Sequence, residues 1–257
     1  MMKKLLLFLI VLYPSVYGSG QETGARGTTA GKITFEEKIK LEIKLEGDAA
    51  QFAETMPKEQ VNVKMLLFNQ DNTLYTEDDR KEPDEELTQQ TGHMTMRMIV
   101  SGANDKTFTD LKNMVKIEQK EFMTRMFIVE SEINDQEWKF TGNNRIVLGY
   151  NCQEAVKDDN GRKINAWFTT MIPVSSGPAG YNGLPGMILL VDIDNGKRMI
   201  TARTIDTEFK DQALLVKPEE GKKVTQEEYK KIVDEKMKEM GSEGGEGGAQ
   251  VIIRIKG

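Results

Sequence analysis

In KITFEEKIKLEIKLEG, residues 32–47, Ile33, Phe35, Ile39, Leu41, Ile43 and Leu45 take odd positions, while Lys32, Thr34, Glu36, Lys38, Lys40, Glu42, Lys44 and Glu46 take even ones. Alternation of this kind gathers the apolar side chains on one face of an extended chain, so the stretch reads as an antiparallel strand with one wet face. From Ile33 to Leu45 such a strand would reach about 43 Å, far beyond the usual five or six residues. Strands of that length predict a mainly β protein with a large curved antiparallel sheet, half-barrel or sandwich-like. The pattern recurs in HMTMRMIV, residues 93–100, and in RIVLGYNC, residues 145–152, where Ile146, Leu148, Tyr150 and Cys152 fall on one face. Turns are written between such runs: Asn69 to Asn72 after VKMLLF, Asp-Asp-Asn-Gly at 158–161, and Asp-Asn-Gly at 194–196 between MILLVDI and KRMITARTI. The last two supply residues that accept the positive φ of a tight hairpin. The count is nine to eleven strands, with almost no helix before residue 220.

The exception is VTQEEYKKIVDEKMKEMG, residues 224–241. Thr225 and Glu228 form a capping box and Gly241 closes the end. Tyr229, Ile232, Val233, Met237 and Met240 make an apolar stripe that should pack on the sheet. GSEGGEGG then reads as a flexible linker, and VIIRIK, residues 251–256, as a last short strand or a tail that borrows a sheet edge. EDDRKEPDEE, residues 77–86, reads as a solvated loop. The expected organisation is a signal peptide (1–18), a flexible N-terminus (19–31), a β domain (32–216), a C-terminal helical segment (217–240) and a Gly-rich linker with a terminal strand (241–257).

The signal-peptide assignment rests on Lys3 and Lys4 ahead of an apolar run from Leu5 to Tyr13, with Val16 and Gly18 as a small-residue cleavage site. The run is too short to span a bilayer, which takes about 20 residues. Export to the periplasm or cell envelope is therefore expected, without a transmembrane anchor. Cleavage removes two lysines and takes the net charge from −6 to −8. That balance disfavours nucleic acid and anionic lipid surfaces, which attract clustered Lys and Arg. The single cysteine, Cys152, forbids an intramolecular disulfide, so the core must hold the fold.

Candidate chemistry is sparse. In YNGLPGMILLV, residues 181–191, the glycines suggest a phosphate loop, but such a loop precedes a helix and carries Lys with Ser or Thr. Here it runs into an apolar strand. Pro185 and the glycines read as a device for turning the chain, with Met187, Leu189 and Val191 facing one side and Ile188 and Leu190 the other. Tyr181, Gly183, Leu184, Pro185 and Gly186 are the candidate loop or ligand element. General acid–base chemistry finds only one histidine, His93, and no nucleophile motif occurs. No enzyme and no cofactor are expected. Cys152 reads as a core thiol. Asp192, Asp194 and Asn195 echo the start of a calcium loop but fit a hairpin turn better. His93, Met94, Met96 and Met98 form an alternative Cu(I) site, weakened because His93 points away from the methionines on a regular strand.

Several landmarks in order resemble the GLPGLI family of exported Gram-negative bacterial proteins: LLFNQDNTLY (66–75), FIVE (127–130), WKFTG (138–142), LGYNCQEA (148–155), AWFTTMIPVSSGP (166–178) and Gly183-Leu184-Pro185-Gly186-Met187-Ile188. The resemblance spans about residues 33–206 and implies export and a β-rich domain, with no assigned activity. Fifteen methionines supply adaptable apolar surface. The function expected is therefore non-catalytic: binding or carriage of a hydrophobic ligand or envelope protein partner, with Cu(I) binding or a sheet-edge interaction module as alternatives.

Overall fold

The computed structural model describes residues 28–41, 57–78, 88–91, 94–101, 105–134, 136–159, 161–209, 211–242 and 250–256. The signal peptide, the far half of the 32–47 strand, most of the acidic loop, His93 and the Gly-rich linker lie outside them. The described residues form β1 (Gly31–Lys40), β2 (Glu59–Phe68), β3 (Asn72–Glu77), β4 (Thr88–Thr91), β5 (Met94–Ser101), β6 (Lys106–Asp110), β7 (Val115–Phe122) and β8 (Arg125–Glu132). There follow β9 (Lys139–Val147), β10 (Tyr150–Asp159), β11 (Arg162–Thr169), β12 (Met187–Ile193), β13 (Arg198–Asp206), β14 (Lys222–Val224), α1 (Gln226–Ser242) and β15 (Gln250–Lys256).

Twelve strands make one open sheet in the order β14-β8-β7-β6-β3-β2-β1-β13-β12-β11-β10-β9. Neighbours are antiparallel except β14, which pairs parallel with β8. A second sheet has the order β15-β5-β4, and the terminal strand does borrow an edge there, parallel to β5. The expectation of a mainly antiparallel β protein with a C-terminal helix holds.

The alternation in β1 holds at most positions: Ile33, Phe35 and Ile39 are buried while Lys38 and Lys40 are exposed, but Thr34, read onto the wet face, is buried as well. The buried apolar residues share a face with Leu66 and Phe68 of β2, Ile200 and Ala202 of β13, and Ile164, Ala166 and Phe168 of β11. That face is covered by the segment between β11 and β12, which contributes Ile172, Val174 and Leu184 to the main core. On the opposite face Met65, Leu67, Leu74, Phe108, Ile117 and Ile128 cluster under Phe209 and Leu215. Helix α1 seals the β8 end, where Tyr229 stacks edge-on against Phe127 with centroids 5.5 Å apart and Ile232 and Val233 pack beside it.

Three readings are corrected. RIVLGYNC is a hairpin: Leu148 and Gly149, at φ 49° and 83°, reverse the chain between β9 and β10. Ile146 and Leu148 are therefore exposed while Cys152 is fully buried. Turns of this kind also raise the strand count to fifteen among the described residues, above the nine to eleven expected. Gly241 does not close the helix, which runs on to Ser242. Helix ends fray, and a lone glycine in a last turn costs too little to stop one.

Candidate functional site

The GLPG stretch enters β12 through backbone geometry. Gly183 and Gly186 have φ of 85° and 153°, conformations that L side chains rarely adopt. Gly186 also lies so close to β11 that a Cβ placed on it would stand 2.1 Å from the Thr169 carbonyl oxygen. Between them Pro185 sits at the centre of a tight turn, with Gly186 N–H donating to the Leu184 carbonyl at 2.7 Å. Met187 and Ile188 then donate to the carbonyls of Ile172 and Ser176. Leu184 is buried in the core, Pro185 is exposed, and Met187 to Val191 are buried on both faces of β12. These residues form a folding element with no phosphate-loop geometry: no helix follows.

Tyr181 is different, because it lines a cleft of about 360 Å³ together with Lys116, Ser131, Gln136, Lys157, Asp159 and Arg162. Lys116 belongs to β7 and Lys157 to β10, eight strand spacings apart in the sheet order. On a flat sheet that separation would be about 38 Å. Both border one cleft, so the sheet curls into an open half-barrel in which β7 and β10 face each other as the two lips of this cleft. The turn Pro178–Gly180 lies between the lips; a Cβ on Gly180 would stand 3.1 Å from Thr107 and 3.3 Å from Lys116.

Lys157 is the centre of this junction. Its ammonium sits 4.7 Å from the Trp138 ring and 5.4 Å from that of Tyr181, and donates to Gln136 Oε1. Trp138 is fixed in turn by its indole N–H, which donates to the Asn182 carbonyl at 2.8 Å. Burial above all, then the neighbouring Lys116 and Arg162 charges, pull Lys157 below the usual lysine range against the opposing influence of Asp159. Burial likewise raises the Tyr181 phenol. Arg162 pairs with Asp159 at 2.7 Å, and Lys116 with Glu118 at 3.1 Å.

Among the described side chains, no other candidate joins this cleft. Met94, Met96 and Met98 alternate along β5, Met96 opposite Gln89 and Val251, and Met98 opposite Ile253; His93 lies outside the described residues. Asp194 and Asn195 form the β12–β13 hairpin turn at φ 52° and 54°, and the Asp192 carboxylate accepts the Gly196 N–H. Among the described residues no three His, Cys, Asp or Glu side chains converge to hold a metal. Cys152 is wholly buried, and burial pushes its thiol up to about 11, so it is protonated at neutral pH. Sequence reasoning missed Lys116, Gln136, Trp138, Lys157 and Arg162, because only the curl of the sheet brings them together.

A family model described as "Protein of unknown function (Porph_ging)" matches residues 45–190, a span that contains every cleft residue named above. The chain belongs to the Porph_ging family. No match was found among curated proteins. Among solved structures the Porph_ging chain is similar in fold to PNGF-II in its P21 and C2 space groups, each with a TM-score of 0.53, at 18% and 19% identity. Each alignment covers 80% of this chain and 33% or 32% of the PNGF-II chain. This chain therefore spans about a third of PNGF-II, and at such identity the likeness is one of fold. Among the described residues, no helix of this Porph_ging chain is long and apolar enough to cross a membrane.

Proposed function

We propose that the protein is an exported, non-catalytic binding protein of the cell envelope, and that its ligand docks in the cleft beside Tyr181. The carrying observation is the cleft itself, where polar groups from β7, the segment after β8, β10, β11 and the chain before GLPG converge between the two lips of the half-barrel. Ligand sites favour such junctions, with a few convergent polar groups that fix orientation. The apolar face that would receive a hydrophobic ligand is filled by Ile172, Val174, Leu184 and Met187 of the chain itself, which favours a polar ligand. Export rests on the Lys3–Gly18 pattern and on the resemblance to the GLPGLI family.

Native mass spectrometry of the protein purified from its own envelope tests this reading. A bound polar molecule that is lost on Tyr181→Ala is expected. Retention of that molecule by Tyr181→Ala, or recovery of bare protein alone, overturns it.

A second reading, protein recognition through a sheet edge, is favoured by β9, whose only paired neighbour among the described residues is β10. Phe140 and Ile146 on that strand are 60% and 71% exposed. An extended partner segment could add there. A bulge at Thr141–Asn143, with Gly142 at φ 82°, interrupts that edge.

A further inference from the structure

We infer that the cleft recognises an oxyanion, the carboxylate or phosphate group of a small ligand, seated against Lys157 and flanked by Lys116 and Arg162. The inference rests on the cleft being the ligand site. Five acidic or basic side chains line it: Lys116, Lys157 and Arg162 against Glu132 and Asp159. The lining is thus net positive in a chain whose net charge is −6.

Lys157 is the telling residue. Among the described residues no carboxylate lies within ion-pair distance of its ammonium, which rests on two aromatic rings and a neutral amide. Asp159, the carboxylate that acts on Lys157, is shared with Arg162, and a half-buried cation with only a shared counter-charge gains from a further anion. Lys116 and Arg162, each paired with a carboxylate, border the same cleft and add positive charge that an entering anion can share. Arg162 engages Asp159 through Nη2, and its guanidinium carries further N–H donors for a second oxygen of the anion. Trp138 and Tyr181 hold the ammonium in place in advance, which lowers the ordering cost of binding.

The full chain is titrated with sodium phosphate and, separately, sodium acetate at constant ionic strength set by sodium chloride. Binding is read from the fluorescence of Trp138, with Trp138→Phe to assign the signal and Arg162→Gln and Lys157→Gln as binding variants. A saturable change with phosphate or acetate, weakened tenfold or more in both binding variants, is expected; the anion that gives it distinguishes the two sources. Thermal melting checks that each variant folds, and Arg162→Gln, with a side chain more than half exposed, serves if Lys157→Gln does not. A response that chloride reproduces, or that survives Arg162→Gln unchanged, overturns the inference. If a neutral molecule co-purifies in the cleft while both anions fail, the oxyanion inference falls and the binding reading stands.

Discussion

Glu37 on β1 and Arg198 on β13 form an ion pair in which Glu37 is wholly enclosed while Arg198 is about one quarter exposed. Glu37 occupies an inward position of the alternating strand, between Phe35 and Ile39, and its second carboxylate oxygen has no hydrogen-bond partner among the described residues. Removing one partner of a buried pair leaves an uncompensated charge and costs about 3–5 kcal/mol, whereas replacing both by apolar residues can be neutral. Arg198→Met should therefore lower stability by about 3 kcal/mol in urea denaturation, and Glu37→Leu with Arg198→Met should recover most of it. A single variant as stable as the parent would show that the pair contributes nothing.

Alanine at the two GLPG glycines separates strain from crowding. Gly183→Ala places a side chain in the left-handed region near Gln136 and should cost about 1–2 kcal/mol. Gly186→Ala adds a backbone overlap with Thr169 and should cost more, about 3 kcal/mol or above. Gly161→Ala, also at positive φ but with nothing within 4 Å, is the control for strain alone. Equal denaturation midpoints for Gly186→Ala and Gly161→Ala would refute the crowding argument.

Glu154 should give the protein part of its acid sensitivity. Its carboxylate is buried, which alone would raise its pKa, but Asn165, Thr141 and Asn143 donate to it at 2.7–2.9 Å and hold it below the usual glutamate range. A group whose pKa is lowered by folding stabilises the native state above its unfolded value, about 4.5, and that stability is lost as pH falls through the folded value. Glu154→Gln should cost about 1–2 kcal/mol at pH 7 and flatten the decline in stability between pH 5 and 3. An unchanged acid limb would remove Glu154 from the account.

The helix is held at its start and along one face. Thr225 Oγ1 accepts the Glu228 N–H at 3.1 Å, and Glu228 Oε2 accepts the Thr225 N–H at 2.9 Å, so both halves of the capping box are made. Thr225→Ala should cost about 1 kcal/mol. Ile232→Ala with Val233→Ala should cost about 1–3 kcal/mol, less than for fully enclosed side chains because both are half-buried. Helical circular dichroism and the melting temperature check both. Since α1 supplies no residue named in the cleft, these variants should leave cleft binding intact.

Local chemistry was legible and closure was not. The Thr225–Glu228 box, the β1 alternation and the turns at 69–72, 158–161 and 194–196 each follow from residues adjacent in sequence. The turn at Met123–Thr124, with φ of 50° and 61°, was hidden because neither residue favours the left-handed region. Glu37 did carry a signal, as a charge on the apolar side of an alternating strand, but what would neutralise it lay 161 residues away at Arg198. The cleft depends on a curl summed over eight strand spacings, and no local pattern encodes that sum.

Cys152 is the chain's one thiol, enclosed where β10 leaves the Leu148–Gly149 turn. Because its sulfur is both shielded and protonated in the closed molecule, an alkylating reagent reaches it only during excursions that part this hairpin from the core. Alkylation rate at low reagent concentration thus reports the opening equilibrium of that corner, and the unmodified protein carries its own probe of breathing motions.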